Sequence, residues 1–242
     1  MSAEKGRQKL LIALDVESGE QALDLAARLG DLAGGFKVGS RLFTLEGPSI
    51  VKRLVDSGAR VFLDLKFHDI PNQIAQTIDA AVQTGAWMIN VHAAGGVPMM
   101  RAAVQSAAEA ADALGRDAPL VIAVTVLTSM DAVTLHGLGI SRSLLDHVLS
   151  LAQLTQEAGL DGVVASPQET TAIRQMCGPD FVIVTPGIRG AAAGGEKHDQ
   201  ARTLRPRDAV HAGASYIVVG RPIIAADDPR HATEQIVEEL ES

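Results

Sequence analysis

Between Leu63 and Pro71 the chain reads LDLKFHDIP. Two carboxylates, Asp64 and Asp69, share this stretch with an ammonium, Lys66, and an imidazole, His68, directly after the apolar run VFL. Asp64 and Lys66 are two residues apart, so on a strand both side chains leave one face and Leu65 leaves the other. Phe62 shares the face of Asp64, one step deeper. A fixed carboxylate and ammonium can hold opposite charges against a bound ligand, and the lysine can also transfer a proton. As a structural pair at a surface they would contribute only about 0–1 kcal/mol. Buried, such a pair often costs stability, so a functional reading is favoured. Asp69 precedes Ile70-Pro71 and a helical pattern; its type and position read as a helix N-cap with proline in the first turn. His68 and His92 raise the question of metal. No H-x-H or H-E-x-x-H spacing occurs and the single cysteine, Cys177, lies elsewhere, so zinc is not expected. A Mg²⁺ ion held by Asp64 with neighbouring carboxylates is the remaining metal alternative.

These residues need a scaffold, and the chain supplies a repeating one. Eight short apolar runs are legible: Lys9–Val16, Gly35–Gly39, Arg60–Lys66, Met88–Ala93, Leu120–Leu127, Gly162–Ser166, Phe181–Gly187 and Tyr216–Arg221. Most are near-continuously apolar, as parallel strands buried on both faces are. Helical periodicity fills the intervals, as in Gly19–Leu29, Ile50–Ser57 and Ala94–Leu114, and Asp227–Glu241 reads as the last helix. Eight βα units predict an α/β protein with a closed (β/α)₈ TIM barrel, with residues 1–242 as one domain. A doubly wound open sheet is the competitor, but LDVESGE after the first strand is not the G-x-G-x-x-G turn of that fold.

In a barrel, polar residues at the C-terminal ends of strands face the active site. Here they are Asp15, Lys37, Asp64 with Lys66, His92, Thr128, Ser166, Arg189 and Arg221. Lys37 could also be a lysine snorkelling at the rim. The loops after strands seven and eight commonly bind phosphate. Gly220 allows close backbone approach and Arg221 supplies a forked donor, with Arg189 and Gln200 coming from the preceding loop. Two connections are long, Thr128–Ser141 and Gly187–Pro206. The second, rich in Gly and Ala, is read as a lid over the catalytic face.

Composition limits the partners. The 242 residues carry a formal net charge of −8, with one Trp and one Tyr, so neither the basic field nor the stacking platforms of a nucleic-acid binder are present. A local cluster of Lys and Arg can still bind a small anion. One cysteine allows no internal disulfide and fits a reducing compartment. The N-terminal apolar run meets Asp15 too early for a signal peptide. The longest stretch free of Asp, Glu, Lys and Arg, Ala80–Met100, contains Asn90, His92, two glycines and Pro98, which argues against a membrane span. A soluble, cytoplasmic protein is expected.

FLDLKFHDIPN (Phe62–Asn72) resembles the D-x-K-x-x-D-I-P signature of the orotidine 5′-phosphate decarboxylase family. The likeness continues in order through ALD (Ala13–Asp15), KVG (Lys37–Gly39), VHAAGG (Val91–Gly96), AVTVLTSM (Ala123–Met130), TPGIR (Thr185–Arg189) and VVGRP (Val218–Pro222). The resemblance implies decarboxylation of orotidine 5′-monophosphate to uridine 5′-monophosphate with no cofactor and no metal. It also implies a homodimer with sites at the interface. Its Lys-Asp-Lys-Asp array maps to Lys37, Asp64, Lys66 and Asp69, with Asp69 and Ile70 offered to the neighbouring subunit. It further implies ribose contacts from Asp15 and Lys37, a pyrimidine contact from Thr128 or the adjacent Ser129, and a phosphate grip from Arg189, Gln200, Gly220 and Arg221. One position departs: the family commonly has Thr after DIPN, and this chain has Gln73, a longer side chain that still donates and accepts hydrogen bonds. Two other readings compete. One is a Mg²⁺-dependent sugar-phosphate decarboxylase or aldolase on a sister barrel, disfavoured by DIPN and TPGIR. The other is a non-catalytic sensor of phosphoribosyl ligands.

Overall fold

A computed structural model of the chain describes residues 6–188 and 204–241. Eight parallel strands close into a barrel in sequence order, β1 (Leu10–Ala13), β2 (Gly35–Gly39), β3 (Val61–Phe67), β4 (Met88–His92), β5 (Leu120–Val124), β6 (Gly162–Val164), β7 (Val182–Thr185) and β8 (Tyr216–Val219), with β8 pairing back onto β1. This is the expected (β/α)₈ barrel. All eight expected strands are present, though most are shorter than their apolar runs.

The helices packed around the barrel begin with α1 (Gly19–Leu29), α2 (Ser40–Glu46), α3 (Pro48–Asp56), α4 (Pro71–Val82) and α5 (Gly96–Ala113). They continue with α6 (Ala132–Gly137), α7 (Leu144–Glu157), α8 (Thr170–Cys177), α9 (Pro206–His211), α10 (Arg221–Ile224) and α11 (Pro229–Glu241). Local chemistry sets several of their starts. Ser18 accepts from the Gln21 N–H at α1, and Ser143 accepts from the Asp146 N–H at α7. The expected segment Gly19–Leu29 is found with the same ends, and the other three are found with one or both ends shifted by one or two residues. The long connection Thr128–Ser141 contains α6. There Asp131 caps the helix, accepting from both the N–H and the hydroxyl of Thr134 at 2.8 and 2.7 Å.

Alternation along the strands divides the core in two. Leu10, Ile12 and Leu14 of the first strand region face the helices, while Leu11 and Ala13 face the barrel axis. The axial cluster also holds Phe62, Met88, Ile122, Val124, Val164, Val184 and Val218. Only one residue in this inner set is aromatic, so branched aliphatics fill the interior, as is usual for such barrels. The same rows, continued toward the C-terminal ends of the strands, lead from Ala13 to Asp15, from Phe62 to Asp64 and from Met88 to Asn90. The apolar plug therefore forms the floor of whatever site lies at the mouth. Leu11→Ala is expected to destabilise the fold by about 2–5 kcal/mol in denaturant unfolding, since its side chain is fully buried in this plug. Leu145→Ala on the exposed side of α7 should stay within about 0.5 kcal/mol of the parent.

Candidate active site

A cavity of about 500 Å³ opens at the C-terminal ends of the strands, within the usual size of small-ligand sites. Ala13, Phe62, Val124, Val164 and Val218 form its apolar floor, and Asp15, Lys37, Asp64 and Lys66 stand above them. The four charges form a connected chain. The Lys37 ammonium is 3.2 Å from Asp15 Oδ1 and 3.5 Å from Asp64 Oδ2. The Lys66 ammonium donates to Asp64 Oδ1 at 2.7 Å. Lys37 is thus a bridging cation rather than a rim lysine reaching for water, and its side chain is only 11% exposed. Gly39 leaves the room this needs: a Cβ there would lie 2.8 Å from Lys37 Nζ and 3.1 Å from Asp15 Oδ1.

Asp64 and Lys66 meet as the spacing predicts, but the route differs from plain alternation. Lys66 has φ 53°, the only positive φ at a non-glycine among the described residues. A left-handed backbone at such a residue costs roughly 1–2 kcal/mol. It coincides with a slip in pairing: Leu63 aligns with Ile89 but Phe67 aligns with Val91, so β3 carries two extra residues against β4. The buried side chain of Asn90 fills the gap, accepting the Lys66 N–H at 2.8 Å and donating to Asp64 Oδ1 at 2.7 Å. The catalytic motif in the sequence did not point to Asn90. Its signal was parity, because it follows Met88 on the inward row of β4.

The other expected residues divide clearly. Thr128, Gly220 and Arg221 line the cavity. Thr128 rather than Ser129 is on the wall. No ion pair among the described residues engages Arg221. A Cβ on Gly220 would meet the Ala13 Cβ at 3.3 Å, so a side chain here would crowd the first strand. Ser166 does not face the cavity: it is fully buried, its hydroxyl near the Gln168 N–H and its carbonyl taken by the Thr170 hydroxyl. Asp69, Ile70 and Gln73 are exposed outside this chain's own cavity. Asp69 is not the N-cap of α4. Ile70 occupies that position, and the Asp69 carboxylate instead accepts the Ile70 N–H at 2.7 Å. Arg189, Gln200 and the central part of the expected lid fall outside the described residues. Among the described residues no group of three or more His, Cys, Asp or Glu side chains is placed to hold a metal ion, and no helix is long and apolar enough to cross a membrane.

Comparison with known proteins adds an independent finding. Residues 8–236 match the model of the family described as "Orotidine 5′-phosphate decarboxylase / HUMPS family". A curated orotidine 5′-phosphate decarboxylase of Moorella thermoacetica is 51% identical, over 97% of this chain and 93% of its own length. The curated protein of that name from Nitrosococcus oceani is 50% identical, over 97% and 98%. Among solved structures, an orotidine 5′-phosphate decarboxylase from Lactobacillus acidophilus superposes with a TM-score of 0.83 at 37% identity, covering 96% of this chain and 99% of that one.

His92 ends β4 beside the charged chain, half-buried, its ring centroid 5.5 Å from that of His68. Burial pushes its pKa below 6.5, and the positive charges of His68 and Lys66 act in the same direction, opposed by Asp64. The folded state therefore binds this proton less readily than the unfolded state. The stability associated with neutral His92 is complete above the unfolded value near 6.5 and is lost as pH falls toward the folded pKa. His92→Gln should flatten the acid side of the stability profile, measured by denaturant unfolding at successive pH values. Identical slopes for the two proteins would contradict this.

Proposed function

The chain belongs to the orotidine 5′-phosphate decarboxylase / HUMPS family, and on that premise we propose that it is an orotidine 5′-phosphate decarboxylase. It converts orotidine 5′-monophosphate to uridine 5′-monophosphate and CO₂, a step of pyrimidine nucleotide synthesis, without metal or cofactor. The observation that carries this reading is the alternating Asp15, Lys37, Asp64, Lys66 chain over an apolar floor.

When the C6–carboxylate bond breaks, its electron pair stays on C6 in an orbital outside the ring π system. No electron sink is available there, so the charge must be met by groups already oriented. Lys66 supplies the positive charge and then transfers an Nζ proton to C6, acting as the general acid; solvent returns that proton afterwards. Asp64 stands beside the departing carboxylate, with the Lys37 ammonium 3.5 Å from its Oδ2. Asp15 and Lys37 hold the ribose, Thr128 the pyrimidine, and Gly220 with Arg221, joined by Arg189 and Gln200, the phosphate. The phosphate is remote from the bond that breaks, so its binding energy can order the site, through the lid if that loop closes over it.

The Mg²⁺-dependent reading is less well supported. Asp64 already accepts from the Lys66 ammonium and the Asn90 amide and is ion-paired with Lys37, which leaves little carboxylate capacity for a cation. The sensor reading gives Lys66 no task. Loss of orotidine monophosphate, followed by absorbance, tests all three. Turnover should survive a chelator, and Lys66→Ala should reduce kcat by on the order of 10⁴-fold or more. Activity lost in chelator would favour the metal chemistry, and tight binding without turnover the sensor.

The whole chain acts as one domain and works as a cytoplasmic homodimer in this reading. Asp69, Ile70 and Gln73 are exposed at the start of α4, and Ile70 is 64% exposed although it is a large apolar residue. A second copy that takes Asp69 into its site would cover them, completing the array with a second carboxylate near C6. Mixing equal amounts of Lys66→Ala and Asp69→Ala chains tests this. Each hybrid dimer then has one intact site, so random assortment should restore about a quarter of wild-type activity from two nearly inactive proteins. No recovery after verified subunit exchange would exclude a shared site.

A further inference from the structure

Asn90 is fully buried, and both ends of its carboxamide are used. It does not line the cavity, so it cannot touch substrate directly. What it touches are the two groups on which the proposed chemistry depends. Its Nδ2 donates to Asp64 Oδ1, the same oxygen that accepts from the Lys66 ammonium. Its Oδ1 accepts the backbone N–H of Lys66, at the residue whose φ is 53°. Where β3 slips against β4, that N–H bonds to a side chain of β4 rather than to its backbone.

We propose that Asn90 is a positioning residue for the decarboxylation: it aims the Asp64 carboxylate and holds Lys66 in the left-handed conformation that brings its ammonium over the cavity. This rests on the activity proposed above. The chemistry of the position is restrictive. Asp64 requires a donor and the Lys66 N–H an acceptor, a short distance apart, which a carboxamide provides on one rigid plane. A leucine of similar size would leave both partners unsatisfied. An aspartate would keep the acceptor but set a second carboxylate against Asp64, and two carboxylates that close share a proton. In its protonated form that aspartate offers O–H to Asp64 and C=O to Lys66, reproducing the native pair of bonds.

The charged surroundings are limited. From β3 come Asp64 and Lys66, from β2 Lys37 through Asp64, and from β4 His92, which adjoins His68. The β5 partner of Asn90 is the apolar Ile122. An aspartate at 90 therefore titrates chiefly against Asp64, and the wild type carries the remaining groups unchanged as its own control.

The experiment is steady-state decarboxylation of orotidine monophosphate by wild type, Asn90→Leu and Asn90→Asp between about pH 5 and 9, with uridine monophosphate affinity measured by calorimetry. Asn90→Leu should lower kcat by about 10²-fold while product affinity changes by less than about threefold, a split that general loosening of the fold would not produce. Asn90→Asp should approach wild-type kcat at the acid end and fall about tenfold per pH unit once the shared proton is lost. Wild type lacks that limb. An Asn90→Leu enzyme within about threefold of wild-type kcat overturns the proposal, as does an Asn90→Asp profile parallel to that of wild type at any level. Should the leucine variant fail to fold, the aspartate profile decides alone. Wild-type turnover is the control that separates the two readings: activity in the wild type with no effect at position 90 removes the role of Asn90 and leaves the activity standing.

Discussion

Charge can stand on top of an apolar barrel only if each group has an opposite neighbour, and the Asp15–Lys37–Asp64–Lys66 chain meets that condition with two of each sign. The interior below offers nothing polar: Ala13, Phe62, Val124, Val164 and Val218 close the floor. An unpaired ion at that depth would shift its pKa or destabilise the fold, and breaking a fully buried pair typically costs about 3–5 kcal/mol. Asp64 and Lys37 are nearest that limit, each with a side chain 11% exposed, whereas Lys66 is more open to solvent. The order of the charges therefore follows from depth. The two middle groups, Lys37 and Asp64, are sunk, and the two end groups, Asp15 and the Lys66 proposed to move a proton, are more open to solvent.

That arrangement requires a backbone that alternation cannot supply. A strand in regular pairing would carry Lys66 onward along β3 in extended geometry. Two extra residues against β4 and a left-handed turn at Lys66 bend the strand end instead, so that the ammonium folds back onto Asp64. The unfavourable φ is offset where Asn90 takes the freed N–H and at the Lys66–Asp64 bond. Strain of this kind persists only where surrounding contacts over-determine it. Here they come from two neighbouring strands.

How much of this was legible in the sequence depends on range. The barrel was, because eight buried parallel strands write nearly continuous apolar runs. Asp15, Lys37, Asp64, Thr128, Gly220 and Arg221 were legible as mouth residues because strand parity and strand ends suffice to locate them. Ser166 met the same rule and failed it, since the chain turns immediately after β6 and uses Ser166 to satisfy the start of α8. The bulge and Asn90 were not legible, because register between β3 and β4 is a property of two strands and neither carries it alone. The short helix α6 was hidden because its six residues are too few to show a period, although its Asp131 cap was in plain view. Asp69 is the most instructive case. Its sequence context is that of a cap, yet the N–H it accepts is that of Ile70, one residue on, and its side chain is exposed.

The opposite end of the barrel shows why the mouth is free to be used in this way. At the N-terminal ends of the strands the Arg60 guanidinium lies 3.7 Å from the centre of the Trp87 ring, and Trp87 meets Tyr216 edge-on at 5.2 Å. Arg174 donates to the carbonyls of Gly178, Pro179, Phe181 and Gly213 and to the Ser215 hydroxyl, tying two connections together. Asp161 accepts the Val121 N–H at 2.7 Å in surroundings whose burial raises its pKa. These polar groups are engaged with backbone or with aromatic faces and close the lower rim. At the mouth, in contrast, the charges bind mainly to one another and present their remaining valence to the cavity. Because the lower rim and the axial plug lie away from the upper charges, strain and ion pairing can be concentrated in Asp64 and Lys66 of β3 and the inward row of β4. The barrel divides its polar chemistry by end, and that division lets a lysine with an unfavourable backbone stand beside a buried carboxylate.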